Sequence, residues 1–240
     1  MLSEKPWRAE AVMRFIAAQF ILYFLGAAAL VTLHGFGVGG FKHEEDFGNV
    51  LLATASFQGA TWILIPIFLR RHGMDWREAF GFHKPDLFRA LFWAVVLAIV
   101  ILPVALELQR ASVFTLEKFG WPPEDEAAVT LVTGAKSLWL KIYLGVFAVV
   151  LAPVAEEFIF RGVLFPFVKQ LGFPKLAWLG VSLLFAAIHF DAAIFVPLFT
   201  FALALTWLYE KTDNLLAPIA AHSLFNAANL LILLHDLKHE

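Results

Sequence analysis

The chain contains no cysteine, and charged residues are scarce in it. Without cysteine it can form no disulfide bond, no thiolate metal site and no cysteine nucleophile. Only 16% of its 240 residues are charged, whereas about 25% is usual in a soluble domain. Its net charge of −2 provides no basic excess for a nucleic-acid partner. What dominates instead is hydrophobic residues, which make up 60% of the chain.

The hydrophobic residues form runs that are long enough to cross a membrane, since about 20 apolar residues span a bilayer. The fourth run contains Pro153 and has the length of one kinked helix or of two shorter ones. The sequence therefore predicts an all-α fold, a polytopic transmembrane bundle of seven or eight helices. The predicted spans are about 13–33, 50–69, 88–108, 139–168, 175–190, 192–209 and 215–235.

The charges between these runs predict the orientation of the chain. Basic residues precede the first span and crowd the loop 70–89. The loop after the first span is acidic at 44–46, and the loop 109–137 carries acidic residues at 117 and 124–126. Because cytoplasmic loops of membrane proteins are enriched in lysine and arginine, we expect the N-terminus and the loop 70–89 in the cytoplasm. The first run has the length of a span rather than the 7–15 apolar residues of a signal peptide.

The loop 70–89 also carries three aromatic residues, Trp76, Phe80 and Phe82, among its basic residues. A short segment of this composition is typical of a helix that lies in the membrane interface. A plain basic cytoplasmic loop explains the same pattern, so the sequence leaves both interpretations open.

Two carboxylates and a guanidinium interrupt the fourth apolar run, at Glu156, Glu157 and Arg161. A charge at mid-membrane depth costs roughly 2.5–3.5 kcal/mol on insertion scales, so such residues usually pair with each other or have a function. Arg161 follows Glu157 by four residues and shares its helix face, which predicts an ion pair. Glu156 points about 100° away and has no obvious partner.

Three further polar residues, His189, His222 and Asn226, lie in later apolar runs. An antiparallel hairpin around residues 172–174 brings His189 to the depth of Glu156, because each lies about 20 Å of helix from that turn. A straight last helix would leave His222 about 8–10 Å away from that depth. His222 and Asn226 are four residues apart and share a face. Taken singly, each is compatible with a structural hydrogen bond.

Together the motifs Glu156-Glu157-x-x-x-Arg161, Phe185-x-x-x-His189 and His222-x-x-x-Asn226 resemble the CAAX protease and bacteriocin-processing (CPBP) family of intramembrane proteases. This family includes type II CAAX prenyl endopeptidases and bacterial abortive-infection proteins. The resemblance covers roughly residues 139–235. It divides one integral membrane domain into N-terminal transmembrane helices and loops at 1–138 and a protease core at 139–235.

The resemblance implies an endopeptidase that hydrolyses a peptide bond of a membrane-associated substrate with a glutamate-activated water, in a polar catalytic cavity. Glu156 would be the general base, because a poorly solvated carboxylate is a stronger base. His189 would hold the water, and His222 and Asn226 would donate hydrogen bonds to the oxyanion. Glu157, Arg161 and Phe185 would support these four residues.

The same residues raise the question of a metal. Glu156, His189 and His222 form a two-histidine, one-carboxylate set that zinc can use. We favour a mechanism without metal, because ligating histidines need a second hydrogen-bond partner. The nearest carboxylate, Asp191, lies on another helix face than His189, and helix carbonyls are normally committed to the backbone.

Two other functions remain as alternatives: a non-catalytic immunity or scaffold protein, and a proton-coupled small transporter, since buried Glu/His relays also move protons. Transporters of this size often show repeated halves, and this sequence shows no repeat. The expected partners are a peptide or membrane-protein substrate and the lipid bilayer. The short chain favours a bacterial protein of the cytoplasmic membrane. Because bacteria generally lack prenylated CAAX substrates, we do not expect cleavage of a CAAX sequence itself.

Overall fold

The protein is described here by a computed structural model covering residues 2–39, 41, 46–82, 87–123, 127–135, 137–237 and 239. Within these residues the regular structure is entirely helical. In chain order the helices are α1 (Ala9–Gly35), α2 (Phe47–His72), α3 (Trp76–Phe80), α4 (Leu87–Lys118), α5 (Ala127–Gly134), α6 (Leu138–Gln170), α7 (Pro174–Ala187), α8 (Ala192–Thr212) and α9 (Leu216–Asp236).

The predicted polytopic helix bundle is confirmed. Over the described residues, six helices are long and apolar enough to cross a membrane, and α7 is a shorter apolar helix of 14 residues. The fourth apolar run forms one continuous helix, α6, in spite of Pro153. This continuity favours seven apolar helices over eight in the described part of the chain.

Helix α7 is shorter than its predicted range of 175–190, because it ends at Ala187. His189 consequently lies in the turn between α7 and α8 and not on a helix. In this turn the backbone N–H of His189 donates to Ala186 O at 3.3 Å. Asp191 then begins α8, where its carboxylate accepts the N–H groups of Ala193 and Ile194 at 2.8 and 3.4 Å.

Helix α6 is enclosed by helices from both halves of the chain. Helices α4, α8 and α9 pack against one another, α7 packs against α8 and the end of α6, and α1 packs against α2. One buried apolar cluster joins Phe68 and Phe80 from the first half to Phe158 and Phe185 from the second. The N-terminal helices therefore contribute to the same core as the helices that carry the polar motifs.

The residues before α1 also contact α6. The indole N–H of Trp7 donates to Gly162 O at 2.9 Å, in a buried position one residue after Arg161. Gln170 at the end of α6 donates in turn to Trp7 O at 2.7 Å. The N-terminal segment is thus attached to α6 at two points.

The aromatic segment of the loop 70–89 forms the short helix α3, and its Trp76 and Phe80 side chains pack against α6. The ring centroids of Trp76 and Phe80 lie 5.3 and 4.9 Å from that of Phe158, and Phe80 is fully buried. The interfacial interpretation is therefore wrong for Phe80, whose ring packs in the protein interior. Several charges used to predict the orientation lie outside the described residues: Glu44, Glu45, Lys84, Glu124, Asp125 and Glu126.

Candidate active site

Helix α6 carries both carboxylates and the guanidinium, and its hydrogen-bonding pattern changes on either side of the two carboxylates. A π-helical segment, Phe147–Leu151, precedes Glu156 and a second, Phe158–Leu164, begins directly after Glu157. Pro153 and Pro166 lie just after these segments, where a proline removes one backbone donor from the helix. Such π-helical turns are frequent at functional sites.

The predicted ion pair between Glu157 and Arg161 is present. Arg161 Nη1 lies 2.8 Å from Glu157 Oε1, and both side chains are completely buried. Arg161 Nη2 also donates to Ala202 O on α8 at 3.0 Å. Its guanidinium lies 4.8 Å from the ring centroid of Phe185 on α7. Arg161 therefore holds α6, α7 and α8 together as well as neutralising Glu157.

His222 approaches both carboxylates, each with a different ring nitrogen. Its Nδ1 is 2.9 Å from Glu157 Oε1, the oxygen that also accepts from Arg161. Its Nε2 is 3.9 Å from Glu156 Oε2. A carboxylate paired with arginine is ionised and only accepts hydrogen bonds, so Nδ1 must carry a hydrogen. This contact fixes the orientation of the His222 ring.

The sequence predicts that a straight last helix leaves His222 far from Glu156, but α9 begins deep enough in the bundle for His222 to reach the carboxylates. The turn before α9 is buried beneath α3, because Leu215 N donates to Phe80 O at 2.9 Å. At Gly81 the backbone passes so close to the turn before α9 that a Cβ on residue 81 would lie 2.1 Å from Asp213 O. Helix α9 is regular through Pro218. His222 therefore reaches the carboxylates without any unwinding of the helix at Pro218, since α9 starts inside the protein.

Phe185 packs between the two histidines. Its ring centroid lies 5.0 Å from that of His189 and 5.8 Å from that of His222. On the other side of His222, the Phe201 ring lies 5.2 Å away. Phe185 and Phe201 are both fully buried. These rings restrict the positions of the two imidazoles.

His189 has a backbone partner that sequence reasoning did not anticipate. Its Nδ1 is 2.7 Å from Phe185 O. This carbonyl is available because α7 ends at Ala187 and the N–H of His189 bonds to Ala186 O instead. The expectation that all helix carbonyls are committed is thus wrong at this helix end. Because a carbonyl only accepts, Nδ1 donates and Nε2 is left as the acceptor of a neutral ring.

The imidazoles of His189 and His222 both lie close enough to Glu156 to interact with its carboxylate electrostatically.

Asn226 lies one turn beyond His222 on α9, as predicted, but its amide contacts a different part of α6. Its Nδ2 donates to Ala148 O at 2.8 Å, within the first π-helical segment. The structure thus joins Glu157, Arg161 and His222 by hydrogen bonds and places Glu156 3.9 Å from His222 Nε2. Asn226 joins α9 to the helix that carries the carboxylates.

Sequence reasoning did not predict the hydrogen bond between Glu157 and His222. It also did not predict that α8 contributes a side chain to the site. Thr206 Oγ1 lies 3.4 Å from Arg161 Nε, and Thr206 is completely buried. A threonine in an apolar run was the available signal, but threonine commonly bonds its own helix, as Thr206 does with Ala202 O at 2.9 Å.

The fit of a metal ion can be judged from the positions of the donor atoms. Among the described residues, no three histidine, aspartate or glutamate side chains are arranged to hold one. The 3.9 Å between Glu156 Oε2 and His222 Nε2 exceeds the roughly 3.3 Å that separates two tetrahedral zinc ligands placed about 2.0–2.1 Å from the ion. In this arrangement the set Glu156, His189 and His222 does not fit zinc.

Comparisons with known proteins agree with the resemblance that the motifs carry. Residues 137–228 match the family model described as type II CAAX prenyl endopeptidase Rce1-like. The matched stretch contains all three motifs, and it confirms the resemblance to CAAX protease-like membrane proteases. No curated protein matches the chain. No solved structure matches it either.

Proposed function

We propose that the protein is an intramembrane endopeptidase in which Glu156 activates a water to hydrolyse a peptide bond. The family match supports intramembrane protease activity at the level of the family. The observation that carries the mechanism is the position of Glu156 beside His222 Nε2, at 3.9 Å, while Glu157 holds the other side of that ring. The site thus contains one carboxylate that is fixed by its ion pair with Arg161 and one that lies apart from that pair.

Glu156 is the general base of this mechanism. The distance of 3.9 Å to His222 Nε2 is too long for a direct hydrogen bond, and a water about 2.8 Å from each group fits between them. His189 offers its Nε2 as a second acceptor, because its Nδ1 is held by Phe185 O. A water bound by Glu156 and His189 is oriented for the loss of a proton to the carboxylate.

His222 stabilises the oxyanion in this mechanism. To donate from Nε2 while Nδ1 bonds to Glu157, the ring must carry both hydrogens as an imidazolium. The ionised Glu157 carboxylate at 2.9 Å stabilises this charged form. Asn226 supplies a second donor to the oxyanion. Preorganised donors of this kind each contribute about 10²–10³ in rate.

The chain would act in a cytoplasmic membrane with its N-terminus on the cytoplasmic side. The beginning of α1 and the ends of α2, α6 and α8 lie on the same side of the bundle. Arg8 N donates to His72, and Lys169 pairs with Glu210. The lysines and arginines at this end include Lys5, Arg8, Arg14, Arg70, Arg71, Arg77, Arg89, Lys169, Lys175 and Lys211. Such an excess supports a cytoplasmic position for this end.

The substrate is expected to be a membrane-associated peptide or protein, and its identity can be found in the membrane proteome. Deletion of the gene should cause at least one membrane protein precursor to accumulate, and the wild-type gene should restore its processing. Purified protein should be compared on two reporters, a farnesylated peptide ending in a CAAX sequence and the same peptide without the lipid. We expect the lipid to be dispensable. If no precursor accumulates and neither reporter is cleaved, the protease function is wrong.

Metal removal is expected to leave the activity unchanged. The donor atoms at Glu156 and His222 do not have the spacing of zinc ligands, so we propose a mechanism without metal. Purified protein should hold less than one zinc per chain by elemental analysis, and dialysis against a chelator should preserve peptide cleavage. Stoichiometric zinc, with activity lost on chelation and restored only by metal, would reassign Glu156, His189 and His222 as ligands.

A further inference from the structure

The π-helical segment Phe147–Leu151 leaves one backbone carbonyl of α6 without a helical donor. The N–H of Ala152 bonds to Phe147 O, five residues before it. In the same pattern, Ala148 O would accept from residue 153. That residue is Pro153, which has no N–H. The shift to π-helical bonding and the proline together release Ala148 O.

The released carbonyl accepts a hydrogen bond from Asn226. Asn226 Nδ2 lies 2.8 Å from Ala148 O, at the contact between α9 and the π-helical segment. Because a carbonyl can only accept, the NH₂ side of the amide must face Ala148. One amide hydrogen is then used, and the orientation of the second hydrogen and of Oδ1 is determined. The Asn226 side chain has two rotatable bonds, and this hydrogen bond holds its amide in one orientation.

We propose that Pro153 is a positioning residue, which keeps Ala148 O free so that this carbonyl orients the Asn226 amide. This inference rests on the proposed function, in which the second amide hydrogen of Asn226 donates to the oxyanion. A donor stabilises a transition state only if it is already directed at the developing charge. Any other residue at position 153 would supply an N–H that competes with Asn226 for Ala148 O.

The test is a double-mutant cycle between Pro153→Ala and Asn226→Ala. Both single variants and the double variant are purified, and kcat and KM are measured on the precursor peptide or reporter that the wild type cleaves. The melting temperature in detergent is measured on the same samples. Pro103→Ala is the matched control, because Pro103 also lies inside a long helix, α4. In this design the melting temperatures test the hydrogen bond without any substrate.

Pro153→Ala is expected to lower kcat by roughly tenfold or more, because misdirecting a donor costs less than the 10²–10³ lost on removing it. KM should change little, and Pro103→Ala should keep the wild-type kcat. In the Asn226→Ala background, Pro153→Ala should have no further effect on kcat. A loss of the same size in both backgrounds, or full activity of Pro153→Ala, would overturn the proposal.

The cycle also separates this inference from the proposed function. If Asn226→Ala keeps the wild-type kcat, Asn226 is no oxyanion donor, and that part of the proposed function is wrong. The melting temperatures then decide whether Pro153 holds the amide. Non-additive losses in the two single variants and the double variant would support the contact, and additive losses would overturn it.

Discussion

Replacing Glu156 by glutamine is expected to abolish peptide cleavage and to leave the melting temperature of the protein in detergent unchanged. The glutamine amide has the size of the carboxyl group but cannot take a proton from water. Removal of a positioned general base typically costs 10²–10⁴ in rate. Stability should persist because Glu156, unlike Glu157, takes no part in the ion pair with Arg161. Its carboxylate lies 3.9 Å from His222 Nε2, beyond hydrogen-bond distance.

Two variants control this experiment. Glu10→Gln makes the same change at an exposed position near the N-terminus and should keep full activity. Glu157→Gln makes it one residue away, where it leaves Arg161 buried without a charged partner, and should lower the melting temperature. An activity of Glu156→Gln above about one tenth of wild type would exclude Glu156 as the base, since the expected loss is at least a hundredfold.

The sequence predicts the fold class and the ion pair well, because both follow from local patterns. Apolar runs of about 20 residues set the spans, and the spacing of four residues places Arg161 on the face of Glu157. The structure has the helices where the runs lie and the pair at 2.8 Å. Helix geometry also predicts that Glu157, and not Glu156, pairs with Arg161, as the structure has it.

The contacts that the sequence does not predict lie where backbone hydrogen bonding departs from a regular helix. Helix α7 ends early and frees Phe185 O for His189. The turn before α9 is buried beneath α3, which brings His222 to the carboxylates. The π-helical segment Phe147–Leu151 and Pro153 release the Ala148 carbonyl for Asn226. Spacing rules assume ideal helices with ends at the bundle surface, so they cannot predict these contacts.

The largest loss of stability is expected on replacing Arg161 by alanine. This change leaves the fully buried Glu157 carboxylate without its cation and removes the bond from Arg161 to Ala202 O on α8. Breaking a buried ion pair by removing one partner costs about 3–5 kcal/mol. For a chain of this size, that corresponds to a fall in melting temperature of roughly 6–20 °C. Activity should fall too, because Glu157 orients His222.

The double variant Glu157→Gln/Arg161→Ala distinguishes a loss of charge balance from a loss of packing. Glutamine at 157 removes the buried charge and keeps an oxygen that accepts from His222 Nδ1. Replacing both partners of a buried pair costs less than removing one. We therefore expect the double variant to melt at a higher temperature than Arg161→Ala alone, when both are measured in the same detergent. An Arg161→Ala protein with the wild-type melting temperature but no activity would assign Arg161 to the reaction itself, as a group that contacts the substrate.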